Sequence, residues 1–263
     1  LLGEQGIVAS RVGTDKLGDE AIERVRQQGL TSDQIERDDT HATGTIRVTL
    51  NANGEPSYEG THDAAWDHLQ WTDQWKELAA RADAVGFGTL AQRSPESRAT
   101  IQSFLAATRA QAFRLFDVNL RHSEFTAELL QDSLDLATAV KLNEAEMPRM
   151  NELLELGGRN IHAFAHRLIQ VFDLQLVAVT RGARGSVMVT PDEIVEHPGV
   201  PAEVVDTVGA GDAFGAAMTH HFLRDRPLEE ISEFANRVGA WMTTQRGATP
   251  ELPGSSIFER IAQ

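Results

Sequence analysis

Hydrophobic positions along the chain fall mostly into short continuous runs, separated by longer stretches with a helical period. "GIVASRVG" (6–13) reads as a strand and "LGDEAIERVRQQG" (17–29) as a helix stopped by Gly29. "ADAVGFGTL" (82–90) reads as a buried strand closed by glycines. A helix is predicted over 95–110, with Ser94 as its cap and Pro95 in its first turn. Strands follow at 113–121 ("FRLFDVNLR"), 139–144 and 174–182, with helices at 126–138 and 159–172. Strands alternating with helices in this way imply a parallel sheet covered by helices on both faces.

Two stretches break that rhythm. "GTIRVTLNANGEPSYEG" (44–60) sets Ile46, Val48 and Leu50 against Thr45, Arg47 and Thr49 and turns at Asn53-Gly54, so it reads as a hairpin with one apolar face. A hairpin inserted over 41–62 of an α/β chain suggests a lid or a face for a homodimer. "GSVMVTPDEIVEH" (185–197) reads as a second hairpin, turning at Pro191-Asp192. There are no internal repeats.

At 263 residues the chain is long enough for a single large α/β domain. Its formal net charge of -15 argues against a nucleic-acid partner or an acidic membrane surface, both of which call for a basic patch. The charge leaves a phosphorylated small molecule open, because local dipoles override a global field. No apolar run approaches a membrane span, and "LLGEQGIVAS" does not read as a signal peptide. The absence of cysteine removes thiolate nucleophiles and cysteine-ligated metals and fits a cytoplasmic location.

The stretch that carries chemistry is "VVDTVGAGDAFGAAM" (204–218), a glycine turn leading into a small-residue helix. It is not a dinucleotide fingerprint, because the third glycine position is Phe214 and Gly215 comes one residue late. A Walker phosphate loop is excluded too: none of Lys16, Lys76 and Lys141 follows a glycine in that pattern. Two readings stay open on the residues alone. One is a turn into a helix with Asp212 as a first-turn carboxylate. The other is an anion hole of Gly209, Ala210 and Gly211 N–H groups with Asp212 beside it as a base. Phosphoryl transfer suits the second, since its loose transition state asks mainly for positioning and charge neutralisation. His162 and His166 stand at i, i+4, but no third ligand is evident, and His220 and His221 are adjacent and diverge on a helix.

"DTVGAGD" resembles the Asp-Thr-x-Gly-Ala-Gly-Asp signature of the ribokinase-like carbohydrate kinases, which include ribokinase, fructokinase and 2-keto-3-deoxygluconate kinase. "RVGTDKLG" (11–18), "DVNLR" (117–121), "NEAE" (143–146), "TRGARG" (180–185) and "ANRVGAWMTTQRGATPELP" (235–253) resemble further family motifs, in the family's order. The resemblance implies a three-layer α/β/α fold with a mostly parallel central sheet and a small β lid. It implies ATP and Mg2+ as cofactors, with K+ as a further candidate, and a sugar as substrate.

Carried over by residue, it makes Asp212 the catalytic base and Gly209, Ala210 and Gly211 the anion hole. Asn143 and Glu146 would hold magnesium through water, and Thr180, Gly182 and Gly185 would shape the nucleotide site with Asn236 beside the adenine. Asp206 would belong to a monovalent-cation site with carbonyls near Val208 and in 244–249. Asn119 and Arg121 would face the sugar, and the hairpin would exclude water from it. "FDVNLR", "KLNEAE" and "AAWDHL" (64–69), with Asp67, lean toward the fructokinase branch, hence a primary hydroxyl of fructose or a related ketose or sugar acid. A 2-keto-3-deoxygluconate or nucleoside kinase, or a silent binding module, is the alternative. The family also has an earlier strand with a sugar-binding acid and a Gly-Gly turn; neither is present here, so an N-terminal part is expected to be missing.

Overall fold

The computed structural model describes residues 2–50, 56–120 and 125–250, the side chains of 47–50 and 56–59 excepted. The chain divides into two compact units: one of Gln5–Arg81 and Ala91–Thr108, the other of Leu1–Glu4, Ala82–Leu90 and Arg109–Gln263.

The smaller unit begins with β1 (Ser10–Gly13), α1 (Lys16–Gln27) and β2 (Ile35–Asp38), β1 and β2 pairing in parallel. Asp15 caps α1 by accepting the Gly18 N–H at 2.8 Å, and Gly29, at φ +75°, follows the helix where the sequence places its stop. The expected hairpin forms from β3 (Ile46–Leu50) and β4 (Pro56–Gly60), antiparallel with Ile46 opposite Gly60 and Leu50 opposite Pro56. Its Asn53-Gly54 turn lies outside the described residues. A 3-10 turn at Ala65–His68 and α2 (Asp73–Arg81) follow. The unit closes with α3 (Pro95–Ala106), which ends four residues before the predicted stop. Ser94 does sit at its N-cap, but the side chain makes no capping bond; the Ser94 carbonyl accepts the Arg98 N–H at 2.9 Å instead.

The larger unit is a sheet between two helical layers. Its strands are β5 (Ala84–Gly88), β6 (Phe113–Asp117), β7 (Ala139–Asn143), β8 (Leu176–Thr180), β9 (Ser186–Val189) and β10 (Ile194–His197), lying side by side in sequence order. β5 to β8 run parallel, and the hairpin predicted over 185–197 adds β9 and β10 antiparallel at the edge. The helices are α4 (Ala127–Leu136), α5 (Met147–Leu154), α6 (Ile161–Phe172), α7 (Ala210–Phe222) and α8 (Leu228–Thr243).

Alternation along the strands divides the core in two. Phe116, Val140, Leu142, Val177 and Val179 face one layer, packing with Leu130, Leu134, Phe164 and Leu168 of α4 and α6. Leu115, Ala139, Leu176, Ala178 and Met188 face the other, packing with Phe214, Met218, Phe234 and Val238 of α7 and α8. This is the three-layer α/β/α arrangement the sequence implies. Near-continuous apolar strands are needed for it because both faces are covered. Among the described residues, no helix is long and apolar enough to cross a membrane.

Candidate active site

The parallel strands end on one edge of the larger unit, at Asp117, Asn143 and Thr180. In open α/β sheets ligands bind outside the carboxyl ends of the strands. The glycine turn reaches the same edge.

Gly209 is the N-cap of α7 and holds φ +80°, a left-handed conformation that residues with a Cβ adopt at a cost. It is also crowded: a Cβ there would lie 3.0 Å from Met242 Cε and 3.1 Å from the Ala248 carbonyl oxygen. The Ala210 N–H bonds the Thr207 carbonyl at 3.3 Å, and the first intrahelical bond runs from the Ala213 N–H to the Gly209 carbonyl at 2.9 Å. Between them the N–H groups of Gly211 and Asp212 stand in the first turn, where a helix offers no acceptor of its own. Asp212 is exposed beside them. Of the three expected anion-hole residues, then, Gly211 presents a donor, Gly209 makes the turn, and Ala210 is engaged within it.

Lys141, which the sequence reading used only to exclude a phosphate loop, lies under this turn. A Cβ on Gly211 would come within 3.2 Å of Lys141 Nζ. The ammonium donates to both Asp117 oxygens, at 2.9 and 2.8 Å, with the lysine side chain 8% exposed. The signal was available: in "AVKL" the lysine occupies the same strand face as Ala139, which points to α7.

Glu146 is buried. One carboxylate oxygen accepts the Leu120 N–H at 2.8 Å and the other the Asn143 N–H at 2.8 Å, while Asn143 Oδ1 accepts the Glu146 N–H at 3.0 Å. Burial pushes the Glu146 carboxyl above its ordinary value, against the pull of these N–H groups and of Lys141. Asn119 holds a positive φ of 39°, and its carbonyl accepts the Thr89 hydroxyl at 3.2 Å. Arg121 lies outside the described residues.

Asp206 ties two segments together. Its carboxylate accepts the Val208 N–H and the Gly247 N–H, each at 3.0 Å, and these bonds lower its pKa. The Asp206 N–H in turn reaches the Thr243 carbonyl at 3.1 Å.

The "TRGARG" turn joins β8 to β9. Thr180 ends β8; Gly182 and Gly185 hold φ of +60° and +77°. A Cβ on Gly185 would strike the His197 carbonyl oxygen at 2.1 Å and the Gly199 nitrogen at 2.3 Å, so only glycine fits. Beyond it opens a cavity of about 640 Å3, walled by the 197–203 segment on one side and by Glu233, Arg237, Ala240 and Trp241 of α8 on the other. Asn236 does not line it. Asn236 is buried, donating to Ser186 Oγ and to the Ser232 carbonyl, both at 2.8 Å, and so pins α8 to β9.

Asp67 is buried in the smaller unit, gripped by Arg93 through Nε and Nη2 at 2.7 Å each. Burial raises its pKa, but Arg93 and the Ala64 N–H outweigh that and hold it below the ordinary value. His162 pairs with Glu196 at 2.8 Å. His220 pairs with Glu4 and His221 stacks on Phe234, and the two rings, expected to diverge, instead lie 5.4 Å apart between centroids.

Known proteins resemble the chain over nearly its full length. A fructokinase of Escherichia coli is 28% identical over 275 residues, covering 95% of this chain and 83% of that protein. An uncharacterized sugar kinase from Pyrococcus horikoshii, solved in complex with ATP, is 26% identical and superposes with a TM-score of 0.79 over 99% of this chain and 85% of its own. The fold is shared as well with a fructokinase from Xylella fastidiosa solved with bound ATP, 24% identical, at a TM-score of 0.85 over 99% and 85%. Residues 1–254 match the pfkB family carbohydrate kinase model, and the chain belongs to that family: it is a sugar kinase.

Proposed function

We propose that the chain transfers the terminal phosphoryl group of ATP to a primary hydroxyl of fructose or a related ketose or sugar acid. The observation that carries the reading is the left-handed turn at Gly209. It opens α7 with Asp212 in the first turn and sets Gly211 over Lys141, whose ammonium holds Asp117 at the end of β6. Asp212 accepts the proton of the attacking hydroxyl and orients it. The helix N-terminus and its N–H groups meet the charge on the migrating phosphoryl group.

The nucleotide takes the cavity along α8, whose Trp241 and Ala240 offer apolar surface to an adenine, with the "TRGARG" turn shaping its rim. Each oxygen of Glu146 already takes one backbone N–H and keeps another lone pair, which suits an ion held through water rather than directly. Glu146 and Asn143 would hold magnesium in this way, and the ion when bound neutralises phosphate charge. The carboxylate of Asp206, joined to the 244–249 loop, is the candidate for a monovalent cation. The β3–β4 hairpin is read as the lid, and a homodimer through it belongs to the same proposal.

The test is ADP release from Mg-ATP with a panel of ketoses, aldoses, sugar acids and nucleosides. Turnover is expected with a ketose, and Asp212→Ala should lower kcat by about 100- to 10,000-fold. A variant as active as the parent would refute the role of Asp212. Turnover on aldoses or nucleosides alone would replace the substrate assignment, and ATP binding with no turnover on the whole panel would mark a silent binding module.

A further inference from the structure

His41, Asp63 and His68 meet at the foot of the β3–β4 hairpin, in the smaller unit. One ligand atom from each lies within 4.8 Å of the others. His41 precedes β3 and Asp63 follows β4, where the hairpin pairing extends to a Thr61 N–H to Thr45 carbonyl bond of 2.9 Å. His68 closes the 3-10 turn at Ala65–His68.

The ring nitrogens are sorted by their neighbours. His41 Nδ1 lies 3.0 Å from Asp38 Oδ2, and His68 Nδ1 lies 2.9 Å from Glu96 Oε2. A carboxylate accepts only, so each Nδ1 donates its proton, and each Nε2 is left to face the cluster. Both Nε2 atoms turn to the same Asp63 oxygen, at 2.8 Å from His68 and 4.0 Å from His41. The two rings stack with centroids 3.6 Å apart at 12°. A proton on His68 Nε2 serves only its 2.8 Å contact with Asp63, whereas one metal ion among the three ligand atoms engages His41 Nε2 as well.

We propose that His41 Nε2, His68 Nε2 and the Asp63 carboxylate form a transition-metal site of the zinc class, with Asp38 and Glu96 orienting the two histidines. Two imidazoles and one carboxylate suit zinc, copper, nickel or cobalt and disfavour magnesium, which demands oxygen ligands. A carboxylate on the far ring nitrogen is the usual support of a metal-binding histidine. Asp63 is 77% exposed, so the fourth position faces solvent and takes water. Coordination in the plane of each ring opens the stacked pair. The ion ties both feet of the hairpin to the 3-10 turn, which makes it a clip on that hairpin and separate from the magnesium role proposed for Glu146.

The experiment titrates tag-free chain, stripped with a chelator, with Zn2+ against a chromophoric competitor, and repeats the titration with Co2+ while recording its visible spectrum. One equivalent of Zn2+ and the intense bands of four-coordinate cobalt are expected. Asp63→Asn, at an exposed position that leaves folding intact, and His68→Gln should weaken Zn2+ by at least tenfold, and Glu96→Gln by about 10- to 100-fold. Circular dichroism of the metal-free variants checks their fold. Failure to bind one equivalent would overturn the site, as would equal binding by the parent and Asp63→Asn.

Discussion

Two glycines two residues apart in "VGAGD" should respond to alanine in opposite ways. Gly209→Ala places a Cβ on a residue at φ +80°, which costs about 1–2 kcal/mol for an L-residue in the left-handed region. The same Cβ would stand 3.1 Å from the Ala248 oxygen and 3.0 Å from Met242 Cε. The methionine end yields easily, but the carbonyl belongs to backbone, and such overpacking adds about 1 kcal/mol or more. The variant should therefore lose about 2–3 kcal/mol in urea or guanidinium unfolding. Gly211→Ala differs because Gly211 lies inside α7, where alanine is favoured over glycine by about 0.8–1.0 kcal/mol. Its Cβ meets only the movable end of the Lys141 side chain, Nζ at 3.2 Å and Cε at 3.7 Å. Stability should stay within about 1 kcal/mol of the parent. Activity should fall at least tenfold in kcat, because Lys141 is displaced from its bidentate hold on Asp117 and a methyl group enters the space beside the first-turn N–H groups. The assay is denaturant unfolding alongside ADP release at saturating sugar. A Gly211→Ala enzyme with parental kcat, or a Gly209→Ala chain as stable as the parent, would refute the assignment of one glycine to fold and the other to site.

Other expectations follow from the pairs on the page. Arg93→Met leaves Asp67 buried without its partner, both side chains being under 10% exposed, and should destabilise the smaller unit by about 3–5 kcal/mol in the same unfolding assay. Glu233 has its pKa lowered by Arg237 first and by His197 at 2.7 Å, so the group adds stability above its ordinary value of 4.5, lost as pH falls below that. Glu233→Gln should flatten the unfolding midpoint against pH in the acid range and leave the profile near neutrality unchanged in shape. Asn236→Leu removes the donor to Ser186 and the Ser232 carbonyl; the loss should appear as stability, about 1–3 kcal/mol, with the KM for ATP changed less than in Trp241→Ala.

Most of the sheet was legible because its strands obey one physical demand. A strand covered on both faces must be apolar at every position, and "RLF", "AVKL" and "LVAV" satisfy this apart from charges that the fold then uses. Hairpins at 44–60 and 185–197 were legible from their turn residues and period-two alternation. Two helices were missed, α2 and α5, each under ten residues and too short for a period to stand out. Strand limits shrank where a loop continued the apolar run, as at 118–120 after β6.

At the site, local pattern and spatial pattern part company. The glycine turn is local: one φ, one helix start and one carboxylate lie within four residues, so the sequence shows it. The Lys141–Asp117 pair joins strands 24 residues apart, and its meaning depends on α7 passing over β7, which no window of sequence contains. The histidine pair is harder still. His41 and His68 stand 27 positions apart with a hairpin between them, and their partners Asp38 and Glu96 come from a strand and from the first turn of α3. Metal-ligand spacing is readable when ligands share a helix or a turn, as His162 and His166 do. Here the close spacing marked a pair from which His162 goes to Glu196, while the distant spacing, brought together by the hairpin closing on itself, produced the convergent nitrogens. The antiparallel register of β3 and β4 thus sets the second site: it fixes the distance from residue 41 to residue 63, which a one-residue slip would change.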